Sequence, residues 1–298
     1  ISQRTAAHAA ADMLSHAEPI LVLSKFGQSK PLTKNTADTV KFRRPTPFAK
    51  ATTPLTEGVT PTSQQMAYDD VTVQLKQYGA VVQISDRVND LSEDPVLQDA
   101  SLLCGEQAAE TIEALTWAII QAGTNVFYAN GSTRGGVNTP ITLGKQRAIT
   151  RNLKANRGKK ITSIVGASEK YSTEPVDAAY IAFGHTDIEG DIRDMTGFVP
   201  TEKYGQMKAL PYEIGKVEDV RYVLTPVLEP ILAAGSTTLN GMTADDSTNV
   251  DVYPIVYIAK EAFGCVPLKG EKSITPSVIN PDTKTKDDPL GQRGYVGW

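Results

Sequence analysis

Apolar positions along this chain change period twice, and the changes divide it into parts. VKFRRPTPF, residues 40–48, alternates apolar and polar until its prolines, and YDDVTVQLKQYGAVVQIS, residues 68–85, alternates for longer, with Val71, Val73 and Leu75 on one face. Two such strands predict a long antiparallel ribbon. The stretch between them, KATTPLTEGVTPTSQQMA, is too rich in Thr and Pro to be helical and too long for a tight turn, so the ribbon has a loose tip. A ribbon of this kind cannot bury both faces on its own body and needs a partner surface.

The period then becomes helical. In DPVLQDASLLCGEQAAETIEALTWAIIQAG, Asp94 to Gly123, the residues Leu97, Ser101, Cys104, Ala108, Ile112, Leu115 and Ile119 recur at three- and four-residue steps, while Asp99, Glu106, Glu110 and Glu113 fall elsewhere. Asp94 as N-cap, Pro95 in the first turn and Gly123 as a left-handed stop predict a helix over 95–122. At ~1.5 Å per residue it is roughly 40 Å long, a strut rather than an ordinary core helix.

Before the ribbon, a short Ala-rich helical piece precedes ILVLSKFGQSKPLTKN, which suits an extended arm. After the strut, NVFYANGSTRGGVNTP reads as loop and TLGKQRAITRNLKANRGKK as a basic helix. ITSIVG and AAYIAFGH read as buried strands, TDIEGDIRDM as a helix, and DVRYVLTP and VDVYPIVYIA as further strands, so the second half forms a compact α/β body. The last forty residues return as strand and tail.

Composition sets few further bounds. The chain has 298 residues, 40% hydrophobic and 21% charged, enough to build a core in one large or two smaller domains. No run of about 18 apolar residues is present to span a bilayer, and the first residues lack the basic-then-apolar order of a signal peptide. Cys104 and Cys265 read as small buried hydrophobes.

Charge is segregated. Residues 1–50 hold eight Lys/Arg against three acids, net +5; residues 51–120 hold two bases against eleven acids, net −9. Such blocks suggest internal docking or head-to-tail contacts between copies. Arg43, Arg44, Glu57, Glu106, Glu110 and Glu113 are the candidate intersubunit residues.

Candidate chemistry is sparse. His185 and Asp187 lead HTDIEGDIRD at the end of an apolar strand, where acidic ligands could hold a divalent cation; a capped surface helix is the weightier reading. ADDSTNVD, residues 244–251, lacks the central Gly and terminal Glu of a calcium loop, and Asn130-Gly131-Ser132 matches a glycosylation pattern by chance. Lys145 to Lys160 carries seven bases and no acid, read first as a solvated face and second as a nucleic-acid contact. There is no Walker-type loop, GxSxG, HExxH, CxxC or glycine fingerprint. No cofactor is expected.

LSKFGQSKPL (23–32), VKFRRPTPF, TTPLTEGVTPT (52–62), GEQAAETIE (105–113), NVFYANG (125–131), KKITSIVG (159–166), DIRDMTGFVP (191–200), EKYG (202–205) and ALPYEIGKVEDVRY (209–222) together resemble the major capsid proteins of tailed bacteriophages. The resemblance implies an α+β fold: N-terminal arm (1–39), extended β-ribbon loop (40–85), peripheral domain with spine helix (86–140), axial domain (141–264) and a return to the peripheral domain (265–298). Leu228 to Val250 carries least of it. It further implies hexamers and pentamers enclosing double-stranded DNA in the virion, synthesis in the bacterial cytoplasm, possible portal, scaffold or decoration partners, no membrane, and no catalysis. Some relatives join subunits through a Lys–Asn isopeptide bond beside a buried Glu; the resemblance places none of the three residue by residue in this sequence, and non-covalent contacts are the working expectation. The rivals are the shell of a bacterial nanocompartment and, in another class, a metal-dependent α/β enzyme using His185 and Asp187.

Overall fold

The computed structural model describes residues 11–17, 20–33, 37–93, 95–166, 172–205, 208–246, 248–266, 274–281, 283–284 and 286–298, the side chains of 165–166 and 172–176 excepted. In chain order the elements are helix α1 (residues 11–17), strands β1 (Gln28–Ser29), β2 (Thr39–Pro45), β3 (Tyr68–Gln74) and β4 (Val81–Ser85), helices α2 (Asp86–Leu91), α3 (Val96–Gln121) and α4 (Leu143–Ala155), and strands β5 (Ile161–Gly166) and β6 (Ser172–Gly184). Helix α5 (Glu189–Arg193) follows, then strands β7 (Phe198–Pro200), β8 (Glu213–Val217), β9 (Val220–Leu224), β10 (Val256–Ile258), β11 (Gly264–Cys265), β12 (Ser277–Ile279) and β13 (Arg293–Gly297). They fall into two units: Ser29–Tyr78 with Gly264–Ser273, and the remainder.

The smaller unit is built on the ribbon. β2 and β3 run antiparallel from Thr39 opposite Gln74 to Pro45 opposite Tyr68, and Thr46 N–H adds a rung by donating to Ala67 O at 2.9 Å. Between those residues only exposed turns and irregular chain follow. Phe42 packs against Gly264, where a Cβ would stand 2.6 Å from the ring, and the Lys30 ammonium lies 5.6 Å from the ring centroid. The alternation expected to continue to residue 85 is split: β4 leaves the ribbon and pairs with β13, Val81 opposite Gly297 and Ser85 opposite Arg293. Gly79 marks the change of partner, since a Cβ there would come within 2.7 Å of the Trp298 carbonyl oxygen.

In the larger unit α3 begins one residue later than expected, after Pro95, with Asp94 outside the described residues. Its end is also different. Gly123 does not take a left-handed conformation; the Ala122 and Gly123 N–H groups tighten the last turn onto the Ile119 and Ile120 carbonyls instead. The buried stripe is Ala100, Ser101, Cys104, Gly105, Ala108, Ala109, Glu113 and Trp117, whereas Ile119, expected in it, is 77% exposed. The stripe rotates because its cover changes. Met13 of α1, Ile84 of β4 and Val296 of β13 cover Ala100 and Cys104, Ala17 covers Ala108 and Ala109, and Val22, Leu23 and Phe26 reach Trp117.

The body is a six-stranded sheet ordered β10-β6-β9-β8-β7, with β5 also on β6; only β6 and β9 are parallel. Ile181, Phe183 and Val223 point into the core that includes Trp117, while Tyr180, Ala182, Tyr222 and Leu224 point into a second core with Ile188, Ile192, Leu143 and Leu153. With both faces covered, β6 and β9 read as near-continuous apolar runs rather than alternating ones. The described residues of 229–252 form a hydrogen-bonded loop: Ile231 bridges Val252, and the buried Asp251 carboxylate accepts from Ala233 and Asp245 amides at 2.8 and 2.9 Å. This loop docks on the segment after α3, where Ser236 N–H donates to Val137 O and Asn138 Nδ2 to Thr238 O. Asn130 of the chance glycosylation pattern bonds to Asn138, which gives it a structural use.

Candidate functional site

His185 and Asp187 sit where β6 gives way to a single 3-10 turn, Thr186–Ile188. The His185 ring caps that turn, Nδ1 accepting from Asp187 N–H at 3.2 Å, and the Asp187 carboxylate lies 3.2 Å from the same nitrogen while accepting from the Tyr253 hydroxyl at 3.0 Å. Burial and the bond to Asp187 push the Tyr253 hydroxyl up to about 12, so it stays a donor. Asp191 is raised by burial and then by Asp194. Among the described residues no three His, Cys, Asp or Glu side chains converge as a metal site requires. The arrangement is a cap, as N-terminal turn chemistry demands.

The charged candidates separate into three kinds. Arg43 is engaged within its own ribbon: Nε and Nη2 donate to the two Asp70 carboxylate oxygens at 2.9 and 3.2 Å, and the guanidinium lies 5.2 Å from the Tyr68 ring centroid. That hydrogen-bonded pairing raises Arg43 and holds Asp70 below the ordinary carboxylate range. Arg44, opposite Asp69, and Glu57, in an exposed turn closed by Val59 N–H on Thr56 O, form no ion pair among the described residues. Glu110 is exposed, and Glu106 faces His16 Nδ1 at 3.5 Å.

Glu113 is a correction. Expected on an exposed acidic stripe, it is 2% exposed and accepts from the backbone N–H groups of Val22 and Leu23. The rotation of the α3 stripe carries position 113 inward, so Glu113 cannot present its charge to a neighbouring copy.

The basic run is less free than its sequence suggests. Arg147 pairs with Glu218, and Lys154 and Lys160 both donate to Asp219, each at 2.9 Å. Glu218 and Asp219 are the two-residue turn between β8 and β9, Glu218 at φ +53°. The turn was legible as KV-ED-VR, two short apolar segments around two polar residues, yet its acids lie more than fifty positions from the bases they meet. Only the fold joins them. Arg151, Arg157 and Lys159 remain exposed and without an ion pair among the described residues.

Sequence reasoning missed Arg221 and Glu213. Arg221 is 1% exposed in β9, and its Nε and Nη2 donate to the Glu213 oxygens at 2.7 and 2.8 Å. Nη2 also donates to Lys208 O, while Tyr204 OH and Leu210 N–H complete the shell of Glu213. The signal was an arginine inside VRYVL, since a buried charge requires a partner. The cluster holds the segment before β8 in place and offers no reacting group.

The described surface is instead notable for uncovered apolar side chains: Leu55, Val59 and Met66 between β2 and β3, and Leu91, Leu103 and Ile119 in the larger unit. No helix among the described residues is long and apolar enough to cross a membrane.

A family model described as phage capsid protein matches residues 68–276. The fold is similar to the capsid of Ralstonia phage GP4, with TM-score 0.61 and 10% identity over 91% of this chain and 80% of that one. It is similar to the capsid structure of the cyanophage P-SCSP1u, with TM-score 0.55 and 12% identity over 93% and 82%. The head structure of Helicobacter pylori bacteriophage KHP40 gives TM-score 0.54 and 11% identity over 94% and 80%. No curated protein sequence matches significantly.

Proposed function

The chain belongs to the phage capsid protein family, and from that premise we propose that its copies assemble as hexamers and pentamers into the icosahedral head of a tailed double-stranded DNA bacteriophage. The role is structural: the protein is a capsid shell component of the virion. The single observation that carries this is the family match across residues 68–276. The tip of the ribbon unit supports the finer reading, because its apolar side chains Leu55, Val59 and Met66 are 63–78% exposed within one chain. A surface on another copy is what would cover them.

In this reading residues 1–39 are the arm, 40–85 the extended loop, 86–140 and 265–298 the peripheral domain, and 141–264 the axial domain, with β4 contributing to the sheet of β12 and β13. Intersubunit contacts are assigned to Arg44, Glu57, Glu106 and Glu110, with Arg43 acting through the shape of the ribbon. Synthesis takes place in the bacterial cytoplasm. Packaged DNA is held without sequence readout, and Arg151, Arg157 and Lys159 are the bases available to it. Portal, scaffold or decoration proteins would join the shell from outside this chain.

Negative-stain imaging of the purified protein tests the assembly. Closed particles hundreds of ångströms across are expected; a protein that stays monomeric under all assembly conditions would overturn the proposal. Packaged protein cargo in place of DNA would favour the nanocompartment alternative.

A further inference from the structure

The 3-10 turn Leu23–Lys25 begins without a cap of its own. The residue in the capping position is Val22, whose side chain cannot accept a hydrogen bond. A helical turn leaves its first amides unsatisfied, and when such amides are buried the missing acceptor is costly. Here the acceptor comes from ninety residues away: one carboxylate oxygen of Glu113, on α3, takes the N–H groups of both Val22 and Leu23, the latter at 2.8 Å. Val22, Leu23 and Phe26 then pack with Trp117, one turn further along α3, in the core shared with Ile161, Ile181 and Phe183. The segment following α1 is therefore fastened to α3 by one ionisable side chain beneath an apolar cover.

We propose that Glu113 is a clasp between the N-terminal segment and α3, and that the clasp is tight when the carboxyl is neutral and loosens when it carries its charge. This goes beyond the shell-building role, since it concerns the joint within one protomer. The groups around the carboxyl are few. Lys25 on the turn draws its titration down, Glu110 lies one turn earlier on α3 and is exposed, and His16 of α1 faces Glu106 rather than Glu113. The described part of β5 facing the turn, Ile161 to Ile164, brings no titratable group. Burial outweighs both amide bonds and Lys25, so Glu113 is raised above the ordinary carboxylate range. For a carboxyl shifted this way, the native state takes the proton more readily than the unfolded chain. Its contribution is complete below the unfolded value and declines as pH rises through the folded one.

Hydrogen exchange of the full chain, followed on the peptide containing Val22 and Leu23, tests this. After correction for intrinsic exchange, protection in the wild type should fall by up to about tenfold per pH unit within the titration window above the ordinary carboxylate range. Glu113→Gln keeps an acceptor but no charge, and should hold protection high and flat with pH. Glu113→Ala should lose it at every pH. Identical pH profiles for wild type and Glu113→Gln would overturn the proposal, as would loss of protection in Glu113→Gln at every pH, which would mean that the charge itself holds the turn.

Discussion

Gly105 lies directly against the backbone of Met13: a Cβ built at position 105 would stand 2.4 Å from the Met13 carbonyl oxygen. Helix α1 thus crosses α3 at a point where no side chain fits, and the small residues Ser101, Cys104, Ala108 and Ala109 continue that closeness on either side.

Gly105→Ala therefore tests the crossing. In an exposed helix the exchange would gain about 1 kcal/mol from propensity. Here one of the helices must shift, and overpacking a tight site costs about 1–3 kcal/mol. A net loss of order 1 kcal/mol in chemical denaturation is expected, whereas Gly190→Ala, with open space around its Cβ, should be neutral or stabilising.

The same helix shows what the sequence could and could not convey. Leu97, Ser101, Cys104 and Ala108 share one side at helical steps, so the first half of the stripe was readable before any fold was known. Beyond Ala109 the burial follows whichever element lies alongside, and Glu113 and Trp117 replace Leu115 and Ile119 because the Leu23–Lys25 segment approaches from another direction. Likewise β6 and β9 announced themselves as apolar runs, but β8 did not: its alternation, Glu213 to Val217, places a carboxylate inward, and Arg221 on the adjacent strand, with the Tyr204 hydroxyl and Leu210 N–H, makes that acceptable. Periodicity reports a residue's own element; ion pairs and crossings depend on partners distant in sequence.

Arg221 and Glu213 yield a second prediction. Removing one partner of a buried pair strands the other, at a cost of about 3–5 kcal/mol, while replacing both with apolar residues of similar volume is often neutral. Arg221→Met and Glu213→Leu should each be strongly destabilising in urea, and the double variant less so than either. Additive losses in the double-mutant cycle would show that the two side chains act independently.

The turn between β8 and β9 carries a pH prediction. Lys154 and Lys160 hold the Asp219 carboxyl below the ordinary range. A depressed carboxyl contributes stability that is present above its unfolded value of about 3.9 and is lost as pH falls through the folded value. The melting temperature of wild type should exceed that of Asp219→Asn at pH 6, by a small margin because the groups are partly exposed, and the margin should close on acidification toward pH 3. A margin that persists unchanged to pH 3 would show that Asp219 acts through packing rather than charge.

The last prediction separates the two ribbon arginines. Arg43 is committed to Asp70 and Tyr68 across β2 and β3, whereas Arg44 forms no ion pair among the described residues, so neighbouring positions have different tasks. Arg43→Glu would place like charges directly opposite on the ribbon, which destabilises a cross-strand pair. Its effect on assembly should then come through a distorted ribbon, and adding Asp70→Arg should restore both the ribbon and the shells. Arg44 stands opposite Asp69, so Arg44→Glu made on an Asp69→Asn background, which avoids a like-charge pair on the ribbon, should leave the fold of the protomer nearly unchanged and slow assembly relative to Asp69→Asn alone by altering contacts with other copies. In a closed shell the same contact recurs at every subunit, so a bias too weak to hold two copies together accumulates around a ring. Because exposed charges are screened over about 8–10 Å at physiological salt, the gap between Asp69→Asn and this double variant should narrow as ionic strength rises. Light scattering during assembly across a salt series measures this. Shell formation by the double variant at the Asp69→Asn rate in low salt would show that Arg44 is a solvated charge, and that apolar side chains such as Leu55 and Val59 direct the contact alone.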